Sequence, residues 1–250
     1  MTDPASYRRR ILLAVTGLTP QIVTETLYAL AVKGTPRWVP TGIRIITTRQ
    51  GAEKAERMSL PAELQRLCGD YDLPEAAFGV DDIRIIKSPN GKPLDDILDE
   101  DDNAAVADFI TEEVRKLTAD PESSLHVSIA GGRKTMGFYV GYALSLFGRG
   151  QDRLSHVLVP PAFESQPEFF YPGPAPPPIT SPTCGEGRGG GRRPGPSKPA
   201  CILAISRLFG CATACPSACS GVTRALPRPS PKRRRRYRRS RSISTRRRDW

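Results

Sequence analysis

The chain has only two histidines among its 250 residues, and its first 172 residues contain a single cysteine, Cys68. Because zinc sites are built mainly from cysteine and histidine, we expect no zinc site, and no motif predicts another metal or a cofactor. A single cysteine also provides no disulfide framework, which favours a reducing compartment and therefore the cytoplasm.

Long apolar runs are absent as well, since none approaches the ~18 residues that a membrane-spanning helix requires. Residues 8–15 have the order of a secretion signal, with arginines followed by apolar residues. The apolar part is too short, however, and Thr16 and Gly17 interrupt it without a small-residue cleavage site. We therefore expect no membrane partner and interpret residues 11–15 as an early strand.

Positive charge is scarce in the first two thirds of the chain. Residues 1–172 contain 19 basic and 24 acidic side chains, whereas residues 173–250 contain 18 basic and 2 acidic ones together with 12 prolines and 9 glycines. This distribution predicts a folded domain at 1–172 and a disordered tail at 173–250. A gene read out of frame after Tyr171 is the alternative explanation of the tail. The basic run of the tail, residues 232–248, predicts non-specific binding to nucleic acid and no sequence-specific function.

Short β-branched apolar runs alternate with helical patterns up to residue 172. The pattern predicts strands at 11–15, 43–47, 83–86, 125–130 and 156–159 and a last strand at 169–172. It predicts helices at 21–33, 52–67, 94–117 and 135–147, the third with an acidic break at 99–102. This alternation is typical of an α/β, Rossmann-like fold with a mostly parallel sheet and helices on both faces.

Ligands of such a sheet bind beyond the carboxyl ends of the strands, where the strand order reverses. The loop after the first strand contains Thr16, Gly17, Thr19 and Gln21. Thr19 precedes Pro20, so we predict that Thr19 caps the following helix and that the helix start favours an anion. A threonine that merely caps the helix is the alternative.

The loop after the fourth strand contains two glycines, Gly131 and Gly132, followed by Arg133, Lys134 and Thr135. The glycines let a ligand approach the backbone closely, and cations at a helix start oppose the helix dipole unless an anion compensates them. The loop therefore predicts a phosphate or phosphodiester site, with a glycine turn and two solvated cations as the alternative. It is not a P-loop, because Arg133 replaces a required glycine.

Residues 16–30 (TGLTPQIVTETLYAL) and 128–136 (SIAGGRKTM) together resemble the CRISPR-associated Rossmann-fold (CARF) family. The most similar branch is that of the CRISPR-associated ring nucleases, relatives of the sensor domains of type III effector ribonucleases in antiviral defence. The resemblance covers residues 8–172. It implies a homodimer that binds cyclic oligoadenylate and cuts it without metal to linear products with a 2′,3′-cyclic phosphate. A sensor that binds the ring without cutting it is the alternative.

The resemblance also implies roles for individual residues. Lys134 is the expected main phosphate contact and transition-state cation. Thr16 and Thr19 are expected to position a phosphate or a ribose hydroxyl, and Gln21 to orient the attacking 2′-hydroxyl. The other expected ligand contacts are Gly17, Thr48, Arg49, Gly131, Gly132, Arg133 and Thr135.

Overall fold

The computed structural model describes residues 3–88, 90–164, 166–174 and 202–206. The strands of this part are β1 (Arg9–Val15), β2 (Gly42–Thr47), β3 (Ile83–Ile85), β4 (Ser123–Ser128), β5 (Arg153–Leu158) and β6 (Ile202–Ser206). Its helices are α1 (Ile22–Tyr28), α2 (Arg49–Arg57), α3 (Leu60–Asp70), α4 (Glu100–Thr118), α5 (Lys134–Phe147) and α6 (Pro161–Glu164). A π-helical segment, Ala29–Lys33, continues α1.

The six strands form one sheet in the order β3-β2-β1-β4-β5-β6. The first five are parallel to their neighbours, and β6 is antiparallel to β5. The chain builds outwards from β1 to β3 on one side and from β4 to β5 on the other, so the order reverses between β1 and β4. This confirms the predicted Rossmann-like fold and places the ends of those two strands side by side.

Both faces of the sheet are buried. Along β1, Leu12 and Ala14 belong to the core that includes α1 and α3, whereas Ile11, Leu13 and Val15 belong to the core that includes α4 and α5. Alternate residues of a strand point to opposite faces, which explains why a strand covered on both sides is a continuous apolar run. Truncating the fully buried Leu13 to alanine would cost about 2–5 kcal/mol of stability.

Two helices differ from their predicted extents. The helix predicted at 52–67 is interrupted, because Ser59 adopts a left-handed backbone conformation (φ 50°) between α2 and α3. The helix predicted at 94–117 begins only at Glu100. Asp99 caps it by accepting a hydrogen bond from Asp102 N (2.8 Å), and residues 94–99 form a loop.

The strand predicted at 169–172 is absent, and this segment is irregular. Its polar groups bind helices instead of a neighbouring strand. Thr24 Oγ1 donates to Phe170 O (2.7 Å), and the Tyr171 hydroxyl donates to Asp70 Oδ2 (2.9 Å). These hydrogen bonds attach the segment to α1 and α3. The segment therefore packs on the two helices and does not pair with a strand of the sheet.

The sheet gains its sixth strand from a region for which the sequence predicted no regular structure. Residues 202–206 pair with β5 over five residues, in a register that places Ile202 opposite Leu158. Residues 201–205 are an apolar run of five residues, which is too short to predict a strand from the sequence alone. The rest of the predicted tail, including its basic run, lies outside the described residues, so its predicted disorder and nucleic-acid binding stay predictions. Within the described part of the chain, no helix is long and apolar enough to cross a membrane.

Candidate functional site

A cavity of about 760 Å³ opens at the sheet edge where β1, β4 and β5 end. The loops that follow β1 and β4 form much of its wall, and the end of β5 closes one side. The wall residues are Gly17, Leu18, Thr19, Ile22, Glu25, Thr48, Gln50, Asp96, Ala130, Gly131, Gly132, Arg133, Met136, His156, Val157, Leu158, Val159 and Glu164. The volume is within the range of small-molecule sites in proteins, about 300–1,000 Å³.

The two glycine-containing loops are in contact. A Cβ atom placed on Gly17 would lie 3.5 Å from Gly132 Cα, and one placed on Gly131 would lie 2.9 Å from Val15 O. Gly132 also has a positive φ of 77°, which other residues adopt only with strain. The glycines are therefore required by the close approach of the two loops and by the turn between β4 and α5.

The start of α2 completes this part of the wall. Thr48 caps α2, because its Oγ1 accepts a hydrogen bond from Gly51 N (3.4 Å), and Thr48 also lines the cavity. A Cβ atom on Gly51 would lie 3.0 Å from Gly17 O, so the first turn of α2 packs directly on the loop after β1. The loops that follow three neighbouring strands, β2, β1 and β4, thus meet at the point where the strand order reverses.

The structure brings six of the eleven predicted site residues into the cavity wall: Gly17, Thr19, Thr48, Gly131, Gly132 and Arg133. Thr19 does not cap α1 as predicted, because that helix begins later, at Ile22, and its capping position is Gln21. No described residue forms a hydrogen bond with the Thr19 hydroxyl, and the residue is exposed. The hydroxyl is therefore available to a ligand in the cavity.

Five predicted residues lie outside the wall. Thr16 is fully buried, and its Oγ1 has no hydrogen-bond partner among the described residues. Gln21 is buried and its Nε2 donates to Pro167 O (3.1 Å). Arg49 forms ion pairs on the surface of α2, and Lys134 and Thr135 are exposed in the first turn of α5.

The positive charge of the site is compensated from one acidic loop. Arg133 forms a two-point ion pair with Asp96, with Nε at 2.9 Å from Oδ1, and Arg49 Nε lies 2.5 Å from Asp95 Oδ1. The hydrogen bonds from Arg133 hold the pKa of Asp96 below its usual value. The sequence alone did not predict these ion pairs, because the paired residues are remote from one another in the chain.

The cavity wall is accordingly less basic than predicted. Among the described residues that line it, Arg133 is the only lysine or arginine, and three carboxyl groups, Glu25, Asp96 and Glu164, share the wall. An anionic ligand that binds Arg133 therefore has to displace Asp96. Any further positive charge has to come from residues outside this wall.

Glu25 is a wall residue that was not predicted from the sequence. It lies on α1, every residue of which is buried, and Glu25 itself is only 7% exposed. Burial raises the pKa of the Glu25 carboxyl from its ordinary value of 4.5 to about 7. A carboxylate on an otherwise uncharged helix was the signal in the sequence. Its functional meaning depends on the position of the helix beside the cavity, which the sequence does not show.

His156 is the second such residue. It lies on β5 and lines the cavity. Arg149, seven positions before His156 in the sequence, is not in the wall and instead pairs with the buried Asp152 (Nε to Oδ2 2.9 Å). Within the described residues, no group of histidine, cysteine and carboxylate side chains is arranged to hold a metal ion.

A mostly parallel sheet with a ligand-sized cavity at the point where the strand order reverses defines an α/β protein of the Rossmann-like class. The sequence model of the family CRISPR-associated protein NE0113 matches residues 19–182, about two thirds of the chain. This chain therefore belongs to the NE0113 family of CRISPR-associated proteins, which confirms the predicted relation to CRISPR-associated Rossmann-fold proteins.

Similar solved structures include Enterococcus italicus Csm6 bound to cyclic hexa-2′-fluoro-hexa-dAMP, at 13% identity and a TM-score of 0.39 over 61% of this chain and 34% of that one. A putative UDP-N-acetylglucosamine 2-epimerase from Listeria monocytogenes matches at 17% identity and a TM-score of 0.29 over 59% of this chain and 30% of that one. The chain thus covers about a third of each. No curated protein sequence matches it significantly.

Proposed function

We propose that this protein binds a cyclic oligoadenylate in the cavity between the ends of β1 and β4 and cleaves it in cytoplasmic CRISPR defence. The observation that carries the proposal is the contact between the Gly17 and Gly132 turns in the wall of a cavity of about 760 Å³. Glycine turns at a strand-order reversal give phosphate groups close access to backbone amides. Membership of a CRISPR-associated family restricts the candidate ligands to those of that defence system.

The proposed cleavage needs no external nucleophile. A ribose 2′-oxygen attacks the adjacent phosphorus, the bond from phosphorus to the 5′-oxygen breaks, and a 2′,3′-cyclic phosphate and a 5′-hydroxyl result. Because the reacting groups belong to the same nucleotide, holding them in line supplies much of the rate enhancement. Negative charge grows on the non-bridging oxygens, and we propose that Arg133, Lys134 and the amides of Gly131 and Gly132 stabilise it.

Ligand binding is proposed to exchange one anion for another. A phosphate replaces the Asp96 carboxylate on Arg133, which is half exposed and can form the same two-point interaction with phosphate oxygens. The Thr19 and Thr48 side chains lie in the same wall and supply hydroxyl donors. Thr16 and Gln21 are buried within the loop after β1, and we propose that they hold this loop in place without contacting the ring.

We propose a second copy of this chain as the partner. Phe138, Tyr142 and Leu146 form an exposed line along α5, at 65%, 56% and 57% exposure, and the two rings stack at 6.1 Å. Exposed apolar lines of this kind mark interaction surfaces. Because α5 begins at Lys134, a two-fold dimer on this helix adds a second cavity loop to the same assembly, as a symmetric ring requires.

The dimer is tested by replacing Tyr142 with glutamate. A buried glutamate in an apolar interface is costly, so we expect sedimentation at micromolar concentration to change from dimer to monomer. Leu98→Glu, at an exposed leucine (80%) on the loop before α4, is the matched control and should leave the mass unchanged. A monomeric native protein would contradict the proposed assembly.

Cleavage is tested with purified protein and labelled cyclic tetra- and hexa-adenylate in EDTA. We expect linear products ending in a 2′,3′-cyclic phosphate. Lys134→Ala should reduce the cleavage rate by about two orders of magnitude, as the loss of one preorganised charge does. Lys92→Ala, an exposed lysine outside the cavity wall, should cleave at the native rate.

Sensing without cleavage is the second candidate function. The compensation of Arg133 by Asp96 and the position of Lys134 outside the wall favour it, because they leave little unbalanced positive charge for a transition state. Tight binding of rings that stay intact for many hours would establish the sensor and eliminate the nuclease. Failure to bind either ring would eliminate both.

A further inference from the structure

The Glu25 carboxyl is the one acidic group of the wall that is both buried and unpaired within the described residues. Asp96 is bound by Arg133, and Glu164 is exposed on α6. No described side chain donates a hydrogen bond to Glu25 or forms an ion pair with it, although it is only 7% exposed. A buried carboxyl without a partner is costly and is a common mark of a functional group.

The neighbouring hydroxyls on α1 cannot serve Glu25, because they bind backbone carbonyls. Thr24 Oγ1 donates to Phe170 O (2.7 Å), and Thr26 Oγ1 donates to Ile22 O (2.6 Å). Glu25 lines the cavity, so a partner can reach it from that side. A ligand in that cavity is the partner that the described residues do not supply.

We infer that Glu25 is the general base that accepts the proton of the ribose 2′-hydroxyl during ring cleavage. This inference rests on the proposed function. As the bond from the 2′-oxygen to phosphorus forms, the hydroxyl proton passes to a carboxylate oxygen of Glu25. As the bond from phosphorus to the 5′-oxygen breaks, the leaving oxygen takes a proton from water. Glu25 then returns its proton to solvent, so the cycle consumes no base and no redox partner.

The surroundings of Glu25 suit this role at neutral pH. Desolvation raises the pKa of the carboxyl to about 7, and a base with a pKa near the working pH combines a populated carboxylate with good proton affinity. The other charged or titratable groups of the wall are Asp96, Arg133, His156 and Glu164. Of these, His156 is the alternative proton acceptor, and it is tested alongside Glu25.

The experiment compares native protein with Glu25→Gln, Glu25→Asp and His156→Gln. Ring affinity and single-turnover cleavage are measured between pH 5 and pH 9. We expect Glu25→Gln to bind the ring within a few-fold of native affinity but to cleave it about 10²–10⁴-fold more slowly. Glu25→Asp should retain part of the rate with a displaced pH midpoint, while the native rate should rise with pH around a midpoint near 7.

A matched control is Glu113→Gln, which removes a similarly buried carboxyl outside the cavity wall, on α4, where it pairs with Arg84 and Lys116. It should cleave like native protein, and thermal unfolding confirms that each variant is folded. The inference would be overturned if Glu25→Gln cleaved the ring at the native rate. It would also be overturned if the increase of the cleavage rate with pH were lost only in His156→Gln. A native protein that binds rings and never cleaves them would overturn the proposed nuclease and, with it, this inference.

Discussion

The buried carboxyl of Glu25 should make the stability of this protein depend on pH in a direction opposite to that of most acidic residues. Burial raises the pKa of Glu25 from 4.5 in the unfolded chain to about 7 in the folded protein. The folded state therefore binds this proton more tightly, and folding becomes less favourable as the pH rises from 4.5 to 7. At about 1.4 kcal/mol for each pKa unit, the full loss above pH 7 is about 3 kcal/mol.

The substitution Glu25→Gln removes this loss because glutamine keeps the shape and carries no charge. We expect the variant to match native protein near pH 4 and to be about 3 kcal/mol more stable at pH 8. The melting temperature at pH 8 should then be about 6–12 °C higher, using about 2–4 °C for each kcal/mol in a chain of this size.

Urea unfolding of both proteins, from pH 4 to pH 8.5, measures this difference in the free energy of unfolding. Subtracting the native curve from the variant curve cancels every other titrating group. Glu56→Gln, at an exposed residue of α2, is the control and should differ from native protein by less than about 0.5 kcal/mol. A difference for Glu25→Gln that stays flat with pH would refute the desolvation argument.

Three further predictions test the neighbouring features. Asp96→Asn should tighten ring binding by up to about fivefold in a titration, because the exposed pair with Arg133 is worth about 0.2–1 kcal/mol; unchanged or weaker binding would show that Asp96 does not compete with the ligand. Gly131→Ala should lower the free energy of urea unfolding by about 1–3 kcal/mol, since its Cβ would meet backbone and side-chain atoms at 2.9 Å, while Gly150→Ala, with nothing within 4 Å, should not. His126 should remain neutral in the folded protein down to about pH 4, because burial and the charge of Arg153 lower its pKa to about 3; an NMR titration midpoint near 6.5 would contradict this.

Much of the fold could be predicted because parallel strands and their covering helices have distinct periodicities. The runs at 11–15 and 43–47 lie within β1 and β2, and the helix predicted at 135–147 is α5 with one residue added. Two elements escaped prediction. The break at Ser59 depends on one left-handed residue, and β6 depends on pairing with a strand more than forty residues away, which no local pattern encodes.

The site was only partly predictable for a related reason. Glycine turns are visible in a sequence because few other residues tolerate their conformations, and both predicted turns line the cavity. Charge compensation is not visible, because Asp96 and Arg133 lie 37 residues apart and meet only when the loop before α4 crosses the start of α5. Arg133 and Lys134 were predicted to bind phosphate together. In the folded protein, Arg133 lies in the wall and is paired with Asp96, whereas Lys134 is exposed outside the wall.

The order of residues by itself determined the alternation of strands and helices, the two glycine turns and the relation to CRISPR-associated proteins, because these depend on local conformational preference and on short motifs. Tertiary structure alone decided which charges cancel, which hydroxyls are buried and which carboxyl borders the cavity without a partner. Those properties depend on burial and on distances between residues remote in the chain. The electrostatics of Glu25 belong to this second group, since the loss of water around a carboxyl exists only after the helix has packed.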